Sequence, residues 1–388
     1  MAVFISIQKQ GDFDEMLKIT KVTTIIFIIS FSVSAQVQNL AIVINGLKDP
    51  GSISIVNINQ PNIKKAVKND IITIGSTPND VQVQHNLAYV INTYSNNIQI
   101  INLLEQNSAG EISVGSGTLP EKIAFINSFK AYVTCNGPDQ VVVLNLNTRS
   151  VTSKIKVQSK PWGITIINKK AYVANSAAVT NWVTFKTTYG NSSVSVIDTT
   201  TDQVIKTIKV ATNATEITTD GNSKVLVIST GDYAMIPGQL TIINANTDEI
   251  EKTVKLKTTP SAIMVNRKQQ IAIINTATGA MVYDLVQHKL VRDKNNPIAE
   301  FSGGFGMTID QEKSTYYVCI PDWTGGGLDE LRVLNSKYNL VKRYQVGKGA
   351  SFVAVAQIEG KNSIGVSEIK DLYQTTWGAI KHNMDMIK

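Results

Sequence analysis

The sequence predicts an all-β fold built from seven similar units. The first observation is compositional: Asn, Thr, Ser, Val and Ile are abundant in the 388 residues, and these residues favour strands and turns. The second is a strand-like stretch, typified by residues 171–175 (AYVAN), that recurs seven times at intervals of about 40 to 54 residues. The third is another strand, typified by residues 194–198 (VSVID), which follows each copy of the first. A period of this length indicates one four-stranded sheet per repeat.

The strands of a repeat can be assigned in order along the chain. The copies of the first stretch begin at Leu40, Ala88, Ala131, Ala171, Val225, Ile271 and Tyr316. The copies of the second begin at Ile53, Ile98, Val141, Val194, Leu240, Met281 and Leu331. A third strand follows, as in residues 204–210, and a fourth opens after a Pro or small residue, as in residues 161–167.

The two ends of the repeat region predict how the units close. A four-stranded sheet that is apolar on both faces must stack on neighbours, and radial stacking buries both faces. Residues 351–355 match an innermost strand without three strands after them, whereas residues 40–74 supply three strands without an innermost one. We therefore predict a seven-bladed β-propeller of four-stranded antiparallel blades, closed by a mixed N- and C-terminal blade.

The chain divides into three predicted parts: an N-terminal extension with a secretory signal peptide (1–35), the propeller (36–356) and a C-terminal tail (357–388). The signal consists of basic Lys18 and Lys21, an apolar run over residues 22–33 and small residues before a cleavage site between Ala35 and Gln36. Met16 is a second candidate start. We expect a secreted, periplasmic or cell-surface bacterial protein without a transmembrane span in the mature chain, because the apolar run is too short to cross a bilayer.

The distribution of charge and the two cysteines argue against a nucleic-acid-binding protein and against a cysteine-ligated metal site. The formal net charge is +7, but Lys and Arg are dispersed, which argues for a solvated basic surface and against nucleic-acid binding. Cys135 and Cys319 lie in strands of distant repeats and have no metal-ligand spacing. We expect two buried free thiols and no disulfide.

These repeats resemble the YVTN-type, or YncE-like, propeller family. The resemblance rests on the strands read as AYVTCN (131–136) and AYVAN (171–175) and on the strand–turn–strand core of residues 194–210, and it covers about residues 37–356. It implies the propeller architecture. Capture of vitamin-type ligands at the cell surface by some relatives implies a binding role, and a link between another YVTN propeller and DNA implies nucleic-acid binding as an alternative.

The candidate binding site lies where long loops share one face. In a propeller, the loop that enters the innermost strand and the loop between the second and third strands lie around the same mouth of the central channel. The second kind of loop is long in blades four, five and seven, over residues 176–192, 231–239 and 321–330. Aromatic rings with a few carboxylates suit a sugar, a flat ring or a peptide. The candidate ligand-binding residues are Trp162, Trp182, Phe185, Tyr189, Asp232, Tyr233, Asp322 and Trp323.

No catalytic constellation emerges from the sequence. His85 and His288 fall in turns predicted on the opposite face, and His382 falls in the tail, so no His is offered to the loop-rich face for a general base or a metal. We expect an exported, monomeric, non-catalytic module that needs no cofactor or metal and that recognises a small molecule, a glycan or a protein. A metal-assisted, lactonase-like hydrolase or lyase using Asp232 and Asp322 remains the alternative.

The recurring strand-end amides have a structural interpretation. They recur blade by blade, which favours a role in satisfying nearby backbone groups over ligand binding. The residues concerned are Asn45, Asn92, Asn136, Asn175 and Asn275.

Overall fold

Seven four-stranded antiparallel sheets make up the fold, as predicted. The computed structural model describes residues 37–359, apart from residue 182 and residues 326–328. The predicted signal peptide and nearly all of the predicted tail lie outside the described residues. In chain order the strands are β1 (Val37–Asn45), β2 (Ser52–Asn57), β3 (Val67–Thr73), β4 (Pro78–Gln84), β5 (Leu87–Asn92), β6 (Asn97–Asn102), β7 (Asn107–Ser113), β8 (Pro120–Phe125), β9 (Lys130–Cys135), β10 (Gln140–Asn145), β11 (Ser150–Lys156), β12 (Pro161–Ile167), β13 (Lys170–Asn175), β14 (Ala178–Asn181), β15 (Lys186–Tyr189), β16 (Ser193–Asp198), β17 (Gln203–Lys209), β18 (Ala214–Thr219), β19 (Lys224–Ser229), β20 (Gln239–Asn244), β21 (Glu249–Lys255), β22 (Pro260–Asn266), β23 (Ile271–Thr276), β24 (Gly279–Asp284), β25 (Lys289–Arg292), β26 (Met307–Asp310), β27 (Thr315–Ile320), β28 (Glu330–Leu334), β29 (Leu340–Gln345) and β30 (Ala350–Glu359).

Helix is nearly absent from the described residues. One turn of α-helix, α1 (Ile63–Ala66), precedes β3, and the side chain of Asn62 accepts hydrogen bonds from its first N–H groups. A single 3₁₀ turn (Ala299–Phe301) lies between β25 and β26.

The strand order within the sheets follows the predicted repeat. From the channel outwards, blades two to seven are β4-β5-β6-β7, β8-β9-β10-β11, β12-β13-β16-β17, β18-β19-β20-β21, β22-β23-β24-β25 and β26-β27-β28-β29. Blade one is β30-β1-β2-β3. The innermost strand of blade one therefore comes from the C-terminal end of the described chain, and the predicted mixed blade is confirmed.

The joint of blade one is long. Strand β1 pairs antiparallel with β30 from Val37 opposite Glu359 to Val43 opposite Val353. Strand β30 runs to Glu359, four residues further than the segment that the sequence assigned to the innermost strand. Parting this pair would strip many backbone hydrogen bonds at once, which is how a ring made of separate sheets resists opening.

A carboxylate clamps the start of the closing strand. Asp329, buried before β28, accepts hydrogen bonds from the backbone N–H groups of Gly349 and Ala350, both at 2.7 Å, and of Asp322 at 3.2 Å. Asp139 of blade three makes a similar but single contact at the joint with blade four, where its carboxylate accepts a hydrogen bond from Lys160 N at 2.8 Å. The closing joint therefore carries a stronger version of a bond used between other blades.

The core lies between the blades. Apolar side chains from neighbouring sheets form clusters such as the one shared by blades one and two, which includes Ile42, Ile53 and Val90. Five tyrosines are among the largest fully buried side chains: Tyr132, Tyr172, Tyr283, Tyr316 and Tyr344. Both faces of the middle strands of each sheet are thus covered, which is why strands such as β9 and β10 read as nearly continuous apolar runs.

The same kind of polar contact, a lysine and a tyrosine on one carboxylate, occurs at two joints between blades. In one, Lys170 Nζ lies 2.7 Å from the carboxylate of Asp248 in the next blade, and the hydroxyl of Tyr172 donates to the same carboxylate. In the other, Lys130 and Tyr132 bind Asp202 in the same way. The motif Lys-Ala-Tyr at the start of β9 and β13 therefore joins its blade to the turn before the outer strand of the next blade.

Removing this carboxylate should destabilise the ring. Asp248→Ala is expected to lower the free energy of unfolding by about 2 kcal/mol, because it leaves a largely buried ammonium and hydroxyl without their charged acceptor. Denaturant unfolding measures the change. Glu249→Ala is the matched control: its carboxylate pairs with Lys206 but is 72% exposed, so its loss should fall within measurement error. Equal effects of the two substitutions would contradict this account.

One predicted loop contains regular structure. Residues 176–192 of blade four, expected to be a long loop, form a two-stranded hairpin of β14 and β15. The side chain of Asn181 accepts hydrogen bonds from Val183 N and Thr184 N at its turn, and the hydroxyls of Thr180 and Thr187 bond across the strands. The length of this segment had indicated a loop, but threonine residues that pair across its two halves stabilise a hairpin.

The two cysteines and most of the strand-end asparagines are buried in the structure. Cys135 and Cys319 are buried free thiols, as expected, and burial raises the pKa of both. The amide nitrogens of Asn45 and Asn175 donate to serine hydroxyls of the neighbouring strand, Ser54 at 2.9 Å and Ser195 at 3.0 Å. Asn136 differs, because it lines the central channel.

Candidate functional site

The innermost strands of the seven blades surround a central channel. Its cavity has a volume of about 950 Å³ and is lined by side chains from all seven of these strands. The loops that enter the innermost strands lie at one end, which we call the mouth. The loops between the second and third strands of blades four, five and seven lie at the same end in their described residues (176–181, 183–192, 230–238, 321–325 and 329). The cavity is large enough for a drug-sized ligand.

Three of the predicted aromatic residues line this cavity. Trp162 is the second residue of β12, Tyr189 ends β15, and Tyr233 lies in the loop of blade five. Partial burial raises the pKa of Tyr189, and so do the nearby Tyr233 and Asp232. Loops of blades four and five therefore place two aromatic side chains on the cavity that Trp162 also lines.

The remaining predicted aromatic residues stand in different places. The indole nitrogen of Trp323 donates to Gly303 O at 3.2 Å, and its ring lies 6.3 Å from that of Phe305, which lines the cavity. Trp323 is therefore at the rim. Phe185 is 79% exposed in the turn of the hairpin and does not line the cavity. Trp182 lies outside the described residues.

The two predicted carboxylates fold their own loops. Asp232 accepts hydrogen bonds from Ile236 N at 2.7 Å and Ala234 N at 3.0 Å, and these bonds lower its pKa. Asp322 accepts from the backbone N–H and the hydroxyl of Thr324. Neither residue lines the cavity. Both are side chains that shape turns in the way Asp commonly does.

A charged group inside the channel was missed by sequence reasoning. Lys122 of β8 places its ammonium 4.0 Å from the carboxylate of Asp80 on β4 and 3.8 Å from that of Glu216 on β18. The same ammonium lies 4.4 Å from the centre of the Phe352 ring on β30. Because these partners belong to blades two, five and one, the lysine side chain reaches across the channel from blade three.

Lys122 and Glu216 can approach each other because a glycine lies between them on the innermost strand of blade four, β12. Blade four separates their blades, and its innermost strand has Gly163 at this level, where no side chain intervenes. A Cβ atom at Gly163 would lie 2.6 Å from the backbone oxygen of Thr215. Glycine therefore allows β12 and β18 to approach closely and leaves the space that the ion pair crosses.

Burial and mutual charge set the protonation of this group. Burial raises the pKa of Asp80 and of Glu216, although Lys122 opposes the rise in both. Burial alone lowers the pKa of Lys122, but attraction to Glu216, Asp80 and Glu121 outweighs it and raises that pKa. The ammonium is therefore held in its charged form.

A third carboxylate stands behind the channel wall. Glu121 is buried, and its carboxylate accepts a hydrogen bond from the amide of Asn79 at 2.8 Å. Burial raises its pKa to about 7, against the opposing effects of Asn79 and Lys122. This group therefore changes its charge near neutral pH.

The signal for this group was present in the sequence. Strands β4, β8 and β18 each carry a charged residue at their third position, immediately before or after apolar ones: Asp80, Lys122 and Glu216. A charge inside a buried strand is uncommon unless it is paired. Alignment of the seven innermost strands would have shown three charged residues at one level of the channel.

The histidines and other metal ligands show no comparable cluster. His85 lies in the turn between β4 and β5 and His288 in the turn before β25, both away from the mouth, as expected. Within the described ranges, no three His, Cys, Asp or Glu side chains are arranged to hold a metal ion. No helix among those residues has the length and apolar character needed to cross a membrane.

Fold and site together define the class: a closed seven-bladed β-propeller with an aromatic mouth and a charged channel. No protein-family model matches the sequence, and no curated protein matches it. A solved structure of hydrazine synthase from Kuenenia stuttgartiensis is similar over 73% of this chain and 96% of its own, with 16% identity and a TM-score of 0.58. The structure of apo AztD from Citrobacter koseri is similar over 84% of this chain and 99% of its own, with 11% identity and a TM-score of 0.52. At these identities the likeness concerns the fold.

Proposed function

We propose that this protein is a binding module that takes a small ligand into the mouth of its channel. The observation that carries the proposal is the convergence of Trp162, Tyr189 and Tyr233 on one cavity of about 950 Å³. Aromatic faces bind apolar rings and sugars, and the hydroxyl and amide groups around them fix orientation. Asn136, Asn213 and other polar residues line the same cavity.

The resemblance to YVTN-type repeats supports the same proposal. Some proteins of that family capture vitamin-type ligands at the cell surface. This chain has its longest second-to-third-strand loops in blades four, five and seven, and two of them supply cavity-lining aromatic residues. A rigid scaffold that presents variable loops is the usual arrangement for recognition.

A ligand screen with the full chain tests the proposal. Thermal unfolding is followed with divalent metals, oligosaccharides, cobalamin and single-stranded DNA, because a ligand that binds the folded state raises Tm. We expect a shift with at least one organic ligand. Stabilisation by metals alone would support the hydrolase or lyase alternative. A shift with DNA that disappears in salt would support nucleic-acid binding.

Substitutions at the mouth locate the site. Trp162→Ala is expected to weaken binding of the ligand found by about tenfold or more, because a buried aromatic contact is lost. Phe185→Ala is the matched control, since this exposed ring does not line the cavity and its loss should leave affinity unchanged. Isothermal titration calorimetry measures both. Unchanged affinity in Trp162→Ala would refute the assignment of the site.

We also propose that the protein is exported and cleaved before Gln36. The order of basic residues, an apolar run and small residues over positions 16–35 supports this. Strand β1 begins at Val37, so cleavage there leaves every strand of the ring intact. Mass spectrometry of the protein from the extracytoplasmic fraction should give an N-terminus at residue 36. Recovery of the uncleaved chain from the cytosol would contradict export.

A further inference from the structure

We propose that the channel selects ligands carrying a compact organic cation, a primary ammonium or guanidinium group on an apolar or aromatic body. Glu216 would hold the cation, and the aromatic residues of the mouth would hold the body. This inference rests on the proposed function and adds the chemical class of the ligand.

The balance of charge in the channel favours a cation. Two carboxylates that line the cavity, those of Asp80 and Glu216, lie within 4.0 Å of one ammonium, that of Lys122. The chain as a whole has a net charge of +7, so the sign of this part of the channel is opposite to that of the protein. A low-dielectric cavity with an excess of one sign attracts ligands of the other sign.

Glu216 has a partly exposed carboxylate on the cavity. Its side chain is 23% exposed and it lines the cavity. The ammonium of Lys122 lies 3.8 Å from its carboxylate, which is longer than a direct hydrogen bond. A carboxylate can accept several hydrogen bonds, so Glu216 retains capacity for a donor from the ligand.

Lys122 shows what this level of the channel stabilises. Its ammonium lies 4.4 Å from the centre of the Phe352 ring, with two carboxylates on its other sides. This is the arrangement in which aromatic faces and carboxylates bind cationic ligands. The protein therefore already stabilises one organic cation at this level of the channel, and a ligand cation would bind the other carboxylate oxygen of Glu216 and not the place that Lys122 fills.

The apolar part of such a ligand has a place nearby. Trp162 precedes Gly163 in β12, and Gly163 lies at the level where Lys122 reaches Glu216. A ring stacked on Trp162 could therefore extend a short arm towards Glu216 without crossing a side chain of blade four. An anionic arm would instead meet two carboxylates and one ammonium, a group with an excess of negative charge that disfavours it.

Three probes of one shape test the inference in the unaltered full chain. Calorimetric titration with benzylammonium, benzyl alcohol and benzoate compares a cation, a neutral molecule and an anion. We expect benzylammonium to bind about tenfold tighter than benzyl alcohol, and benzoate to bind weakest. Comparable binding of the alcohol or the benzoate would overturn cation selectivity while leaving the proposed function intact. No binding of benzylammonium up to about 10 mM would overturn the inference, and the ligand screen would then judge the proposed function alone.

Glu216→Gln provides the matched variant. It keeps the size of the side chain and removes its charge at a partly exposed position. We expect about a tenfold loss of affinity for benzylammonium and an unchanged affinity for benzyl alcohol. The control is Glu111→Gln, which removes an exposed carboxylate on the outer strand β7 and should alter neither affinity. An unchanged affinity for benzylammonium in Glu216→Gln would overturn the assignment, and the comparison of probes stands even if this variant fails to fold.

Discussion

Asp329→Ala is expected to lower the free energy of unfolding by about 4 kcal/mol, because three backbone N–H groups lose a charged acceptor in a buried place. Two of these groups, those of Gly349 and Ala350, begin the strand that closes the ring. The loss should therefore weaken the joint at which blade one is assembled from both ends of the chain. Denaturant unfolding followed by tryptophan fluorescence and by circular dichroism measures the effect.

Asp139→Ala serves as the comparison for this prediction. Asp139 makes one bond of the same kind, to Lys160 N at 2.8 Å, at a joint where the chain is continuous. Its loss should lower the free energy of unfolding by about 1 kcal/mol. If Asp329→Ala were no more destabilising than Asp139→Ala, the clamp would have no special role in closure.

Glu121→Gln should stabilise the protein at pH 8 and leave its stability at pH 4.5 nearly unchanged. The fold raises the pKa of this carboxyl from 4.5 to about 7, so folding favours its protonated form. The protonated Glu121 therefore contributes its full share to the free energy of unfolding below pH 4.5, and this contribution is lost as the pH rises through about 7. The difference corresponds to about 3 kcal/mol above pH 7. Burial raises the pKa of Asp80 and Glu216 in the same direction, so part of the pH dependence remains in the variant.

Glu111→Gln is the control for this prediction, because Glu111 makes a similar hydrogen bond to an asparagine but is exposed. Asn97 donates to the exposed Glu111 at 2.7 Å, much as Asn79 donates to the buried Glu121 at 2.8 Å. Glutamine can accept either bond. Unfolding free energies measured from pH 4.5 to 8 should show reduced pH dependence in Glu121→Gln and an unaltered profile in Glu111→Gln. Parallel curves for wild type and Glu121→Gln would refute a buried, titrating Glu121.

The candidate site was predictable in part. Loop length and aromatic content identified Trp162, Tyr189 and Tyr233, which line the channel. The same criteria also selected Asp232, whose carboxylate binds the N–H groups of its own loop. Composition indicates that a residue belongs to a loop, but the direction of its side chain depends on the turn that the loop adopts. The hairpin within residues 176–192 shows the same limit, because its pairing depends on contacts across the turn.

What the sequence determined by itself was the ring. Alternating apolar strands, their period and the incomplete repeats at residues 40–74 and 351–355 specify seven blades and the way they close, because these features depend on local patterning and on counting. What only the tertiary structure decided was which charges meet inside the ring. Asp80, Lys122 and Glu216 belong to three blades, and their approach depends on the width of the channel and on the absence of a side chain at Gly163. Distances across a closed ring are set by how the blades pack together, and no local pattern in the chain records them.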